Sequence, residues 1–168
     1  MAARALKILL LGALAVGKTS IANRLAHDKF DKDYKSTIGV QLYTVKVPIE
    51  DHEVSIVLWD TDGDMDAGIF TSPYVHGASG AMIVADTQRV ETYETMNRLS
   101  ETMDDLLPGR PHICIFNKTD IHKPSADVVA ETKKRNEFVA LCSAKDGTGV
   151  KQALEQLVKR IAELDYLV

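Results

Sequence analysis

The sequence predicts an α/β fold: a mostly parallel six-stranded sheet with one antiparallel strand and helices on both faces. Three observations carry this expectation. Short apolar runs alternate along the chain with segments whose apolar residues recur at helical spacing. The second and third runs are separated by only a few polar residues, as an antiparallel hairpin requires. Finally, 168 residues with 45% apolar content suffice for one compact core, and no repeat or linker divides them, so 1–168 reads as a single domain.

The elements follow in order. Residues 7–11 form a short, mostly apolar run, as expected of a strand buried on both faces. A glycine-bracketed loop leads from it into a helix over 18–27, with Ile21 and Leu25 on one face. Residues 41–49 and 53–60, rich in Val, Ile, Tyr and Thr, read as the hairpin. Residues 81–85 and 113–116 are two further buried strands. Between them Tyr93, Met96, Leu99, Met103 and Leu106 keep helical spacing until Pro108-Gly109 ends the helix. A helix near 125–134 and a strand near 138–142 come next. The last helix, about 150–164, carries Val150, Leu154, Leu157, Ile161 and Leu164 on one stripe.

Composition excludes several classes. A net charge of −4 offers no dense basic face for nucleic acid, and Lys133-Lys134-Arg135 near a helix end reads as a solvated surface. Cys114 and Cys142, far apart and each in a predicted buried strand, fit neither a disulfide framework nor a zinc site, which points to a reducing, cytoplasmic setting. No apolar run approaches the roughly 18–20 residues of a membrane span. Arg4 and Lys7 before 8–11, then Ala13-Leu14-Ala15, imitate a secretory leader with its cleavage site. Cleavage there would destroy the loop on which three downstream segments depend.

That loop is Gly12-Ala13-Leu14-Ala15-Val16-Gly17-Lys18-Thr19, with Ser20 following, and it matches G-x-x-x-x-G-K-[ST] between a strand and a helix. Its backbone amides and the helix N-terminus can surround a polyphosphate, Lys18 can bridge β- and γ-phosphates, and Thr19 can ligate Mg²⁺. Asn117-Lys118-Thr119-Asp120 supplies base recognition. The Asp120 carboxylate can accept from the N1–H and N2–H₂ donors of guanine, a pair that adenine lacks, and burial of Asp120 would sharpen the choice. The Lys118 stem can lie on the ring, and Asn117 can tie this loop to the phosphate loop. In Trp59-Asp60-Thr61-Asp62-Gly63, Asp60 is the acid expected to hold Mg²⁺ and the Gly63 N–H can contact a γ-phosphate. In Ser143-Ala144-Lys145, the Ala144 N–H can reach guanine O6. Each segment follows a strand at its carboxyl end, where such sheets bind ligands.

Together these residues resemble the Ras-like small GTPases of the P-loop NTPase fold, over nearly the whole chain. The resemblance implies that Thr37, in Tyr34-Lys35-Ser36-Thr37-Ile38-Gly39, is a first-switch Mg²⁺ ligand in the GTP state. It likewise implies that Phe30 packs against guanine and that Tyr34 folds over the phosphates. Ser36-Thr37-Ile38-Gly39-Val40 and Tyr74-Val75-His76-Gly77-Ala78 look most like the Rab branch. A GDP/GTP switch with Mg²⁺, effector proteins at two switch segments, an exchange factor and an activating protein are what such a resemblance implies.

Two departures bear on chemistry. The family follows D-T-A-G with a Gln that orients the attacking water, whereas here Asp62 replaces the Ala and Asp64 the Gln. An anionic Asp64 near a γ-phosphate meets Coulomb repulsion of ~4 kcal/mol at about 4 Å and an effective dielectric of roughly 20. Leu14 stands where much of the family has Gly or a small residue, and its branched side chain would obstruct an arginine finger. Slow GTP hydrolysis and an atypical activating protein are therefore expected. In a second reading Asp64, its pKa raised beside Asp62, is a general base. A third makes the chain a non-hydrolysing interaction module with structural nucleotide. A phosphotransferase or ATPase is disfavoured by Asp120. The chain stops at Tyr166-Leu167-Val168 without the prenylated cysteines common in the family, so no direct membrane anchor is expected in it.

Overall fold

Strand β1, Leu6–Gly12, runs through the middle of the sheet, and its alternating side chains divide the core in two. Ile8 and Leu10 face one layer, Leu9 and Leu11 the other, and all four are buried. The computed structural model describes residues 5–31, 39–61 and 73–165. Over these the chain runs β1, α1 (Lys18–His27), β2 (Val40–Ile49), β3 (His52–Thr61), a 3₁₀ turn (Pro73–Val75), β4 (Gly80–Asp86) and α2 (Glu91–Leu106). It continues through β5 (His112–Asn117), α3 (Ala126–Arg135), β6 (Phe138–Leu141) and α4 (Val150–Asp165).

The sheet order is β2-β3-β1-β4-β5-β6. All neighbours are parallel except β2 and β3, which pair antiparallel from Val40↔Thr61 to Ile49↔His52. The two residues between Ile49 and His52 close this hairpin, with Glu50 at φ 53°, the positive value that tight hairpin turns demand. The expected fold class and the antiparallel strand are both found. Most strands extend one residue beyond the apolar run at each end, because ladder bonds continue into Gly12, Asp86 and Asn117, where the hydrophobic signal stops.

One layer is made by Ile21 and Ala22 of α1 with Ala153, Leu154, Leu157, Val158 and Ile161 of α4. The other is made by Tyr93, Met96, Leu99 and Met103 of α2, against which Val128 and Val129 of α3 pack. Each Val, Leu, Ile or Met side chain so taken from water contributes roughly 1.5–3 kcal/mol before entropy is counted. Tyr93 meets Phe116 edge-on at 5.1 Å between ring centroids. Helix α3 starts on a Ser125 cap, Val128 N donating to Ser125 Oγ at 3.2 Å, and ends on Lys133, Lys134 and Arg135. Those three cations are exposed and complement the helix dipole, as the solvated-surface reading required.

Three details depart from the periodicity. Leu106 ends the α2 stripe but is 54% exposed, whereas Met103 before it is buried and Leu107 after it packs against the layer. Strand β6 is a four-residue, half-buried edge rather than a covered strand. Cys142 lies just past it, though fully buried, and burial pushes both cysteine thiols up to about 12. Among the described residues no helix is long and apolar enough to cross a membrane.

Candidate functional site

Because five strands run parallel or pair in register with them, the carboxyl ends of β1, β3, β4, β5 and β6 share one rim. The loop from β1 to α1 curls there through Gly12 at φ 145°, Ala15 at φ 61° and Gly17 at φ 104°. A Cβ on Gly12 would run into the Val84 carbonyl, and one on Gly17 into the Asn117 side-chain amide, so both positions need glycine for space as well as for φ. Lys18, 6% exposed, donates from Nζ to Gly12 O at 2.7 Å and to Ala13 O at 3.0 Å. The amine thus lies inside the curl of its own loop, beside the N-terminus of α1, a combination that favours anions. Val16 is buried, Ser20 half-buried on α1, and Leu14 stands 44% exposed on the rim.

Thr19 and Asp60 come together across the β1–β3 seam, Thr19 Oγ1 donating to Asp60 Oδ2 at 2.6 Å. Asp60 is fully buried, and neighbouring Thr61 donates its hydroxyl to Leu10 O at 2.5 Å, which fixes the strand end. The Tyr43 phenol is pushed above its ordinary value, first by burial and then by the Asp60 charge. A hydroxyl and a carboxylate are hard oxygen donors, and a buried negative field beside a phosphate loop is one that Mg²⁺ would neutralise, so the donor set fits that ion.

The base-side loops are tied to the phosphate loop and to each other. Asn117 Nδ2 donates to Val16 O at 3.0 Å, while Asn117 Oδ1 accepts from Ala144 N at 3.1 Å. Lys118, at φ 72°, donates from Nζ to Ala15 O at 3.1 Å and to Asp86 Oδ2 at 2.8 Å. Ser143 Oγ donates to Asp120 Oδ1 at 2.8 Å, orienting the carboxylate from behind. Two expectations change. Asp120 is exposed rather than buried. The Ala144 N–H is given to Asn117 rather than left open for a base oxygen.

Three polar residues at or near the rim, Asp86, Arg89 and Arg24, escaped the motif reading. Asp86 ends β4 buried, and its carboxylate gathers Lys118, the Gln88 N–H at 2.9 Å and Arg89 Nε at 3.2 Å. Burial acts to raise its pKa, but these donors outweigh it and hold the carboxyl below its ordinary range. Arg89 Nη2 also donates to Leu14 O at 2.5 Å. A carboxylate ending an otherwise apolar strand at the binding rim was the available signal. Arg24, on α1, reaches Ala144 O and Lys145 O, and only its i,i+4 spacing to Asp28 was visible in sequence. Phe30 is half-buried, and Tyr34, Thr37, Asp62, Gly63 and Asp64 lie outside the described residues.

A parallel sheet whose first strand opens through a glycine-bracketed lysine loop into a helix, with an Asn-Lys-x-Asp loop docked on it, defines a P-loop nucleotide-binding domain. The chain belongs to the Ras family, whose model matches residues 7–163. It is 38% identical over 160 residues to the Ras-related protein RABA5b of Arabidopsis thaliana, covering 92% of this chain and 74% of that protein. It is 36% identical over 166 residues to the Ras-related protein Rab-32C of Dictyostelium discoideum, covering 94% and 74%. The Rab-like character expected from the switch-region sequences is thus found. Members of this family are small GTPases that bind GTP and GDP with Mg²⁺ and work with effectors, exchange factors and activating proteins.

Proposed function

We propose that this chain is a Mg²⁺-dependent GDP/GTP switch with slow GTP hydrolysis, working in the cytoplasm. What carries the reading is one joint: Asn117 bonds both Val16 O in the phosphate loop and Ala144 N in the Ser143-Ala144-Lys145 loop. One side chain thereby ties the loop read as the phosphate site to the loop read as the base site, which supports a single ligand spanning both. In this reading the Gly12–Thr19 loop with Ser20 surrounds the phosphates, with Lys18 against β and γ. Asp120 reads the guanine edge, Lys118 and Phe30 flank the ring, and the Ser143-Ala144-Lys145 loop meets O6.

Thr19 and Asp60, joined by Thr37, would hold Mg²⁺, which supplies charge neutralisation between the β- and γ-phosphates. Thr37 and Gly63 would sense the γ-phosphate, and Tyr34 would close over it, so that effectors read the two switch segments. Asp64, in the position that orients water, opposes the charge that Gln would tolerate, and Leu14 on the exposed rim stands in the way of an arginine finger. An atypical activating protein follows from that obstruction.

A second reading, a non-hydrolysing interaction module, is favoured by the exposed Leu14 together with Asp62 and Asp64. The test is to denature the purified protein, identify the released nucleotide by chromatography, and follow bound GTP in a single turnover with Mg²⁺. Guanine nucleotide with slow conversion to GDP supports the switch, and GTP unchanged over days supports the module. Protein recovered empty and indifferent to GDP and GTP defeats both.

A further inference from the structure

Arg24 spends its guanidinium on backbone carbonyls of a loop 120 residues away. Nε donates to Ala144 O at 3.0 Å and Nη2 to Lys145 O at 2.6 Å, while Nη1 pairs with Asp28 Oδ1 at 3.1 Å. The side chain is only 14% exposed. Gly147, at φ 90°, lets the loop turn beside its stem, close enough that a Cβ there would be in ordinary contact, 3.6 Å, with Arg24 Cδ and Nε.

A trans peptide holds its C=O and N–H on opposite sides. With the Ala144 and Lys145 carbonyls turned toward Arg24, the amides of Lys145 and Asp146 turn away from it. The Asp146 amide shows where they turn: it donates to Ser143 Oγ at 3.3 Å, the hydroxyl that in turn holds Asp120. The Asp146 donor therefore lies on the Asp120 side of the loop, opposite the two carbonyls that Arg24 holds. The guanidinium presents its donors in a fixed planar fork, one nitrogen to each of the two successive carbonyls. Arg24 also lies six residues along α1 from Lys18, about 9 Å of helix, so one rigid rod fixes both the phosphate-loop lysine and the base loop.

We propose that Arg24 is the positioning residue for guanine O6, setting base specificity through the Ala144–Lys145 peptide. The inference rests on the guanine reading given above, and the test separates the two. Affinities of the full chain for GDP and for 6-thio-GDP, which replaces O6 by a weakly accepting sulfur and keeps N1–H and N2–H₂, are measured by displacement of fluorescent GDP. They are measured for the native sequence, Arg24→Ala, Arg24→Lys and Asp28→Asn.

Arg24→Ala should weaken GDP roughly ten-fold or more and 6-thio-GDP less than about three-fold, so that the preference for GDP collapses. Arg24→Lys, which keeps the charge and serves if the alanine variant fails to fold, should fall between. Asp28→Asn, which leaves both loop-facing nitrogens in place, should keep the preference. Equal losses of both ligands in Arg24→Ala and Arg24→Lys would overturn the proposal, showing that Arg24 holds only the fold. So would loss of the preference in Asp28→Asn alone. A native protein that binds both ligands equally would defeat the O6 reading itself.

Discussion

Lys118 and Asp86 meet across the carboxyl ends of two neighbouring strands, Lys118 Nζ lying 2.8 Å from Asp86 Oδ2. The contact joins the base loop to β4, and because Lys118 also donates to Ala15 O, the same amine reaches the phosphate loop. Asp86 is 3% exposed at its side chain, whereas Lys118 is 30% and Arg89 36% exposed, so solvent screens the partners more than the acid.

Asp86→Asn keeps the shape and removes the charge. A broken buried pair is worth roughly 3–5 kcal/mol, and partial solvation of both cations lowers this to about 2 kcal/mol of folding stability. Denaturant unfolding with saturating GDP measures it. An unchanged midpoint would show that the ion pair contributes nothing.

The same carboxyl gives a pH signature. Its folded pKa is depressed, so its stabilisation is fully present above the ordinary carboxyl value of 3.8 and is lost as pH falls below it through the lower folded value. The stability gap between the native sequence and Asp86→Asn should therefore be constant at neutral pH and close below about pH 4. A gap that widens on acidification would contradict the sign.

The two glycines of the phosphate loop should fail for different reasons. Gly12→Ala meets the Val84 backbone carbonyl, which cannot move without breaking the β1–β4 pairing, so folding should lose about 2 kcal/mol or more. Gly17→Ala meets the Asn117 side chain, and displacing it removes the bond to Val16 O. Its stability loss should be smaller and its loss of GDP affinity greater. Calorimetry and denaturant titration on the two variants separate these effects.

In the proposed reading, hydrolysis depends on residues 64 and 14. Asp64→Gln with Leu14→Gly should raise single-turnover GTP hydrolysis roughly ten-fold or more, since it removes the anion and clears the finger's approach. Asp64→Ala should leave the rate equal or higher. A rate that drops in Asp64→Ala would make Asp64 the general base and end the slow-enzyme reading.

Both thiols are fully buried and pushed up to about 12, so neither should react with a maleimide at pH 8 in the folded protein. Labelling should track unfolding, and rapid modification of either cysteine in native protein would show that the layer over it opens.

Much of the site is legible in sequence where the requirement is local. Gly12, Gly17 and Lys18 belong to one turn whose backbone must bend sharply and then enter a helix, and that constraint is written in consecutive residues. Asn117 is readable for a similar reason, since it ends an apolar strand. The two layers are readable because helical and strand periodicities place Leu9 opposite Ile8 and align Met96 with Met103.

Which partner each polar group takes was decided only in three dimensions. Arg24 contacts residues 120 and 121 positions away, and Lys118 finds Asp86 32 positions back, distances over which no pattern repeats. The exposure of Asp120, the engagement of the Ala144 amide by Asn117 and the bare end of α2 at Leu106 likewise depend on how the layers close. Sequence determined the folding elements and the chemistry at the strand ends, because backbone conformation and hydrophobic period act between near neighbours. Tertiary structure decided the hydrogen-bond pairing among those ends, because each buried donor or acceptor must be satisfied by whatever group the packed sheet brings within reach.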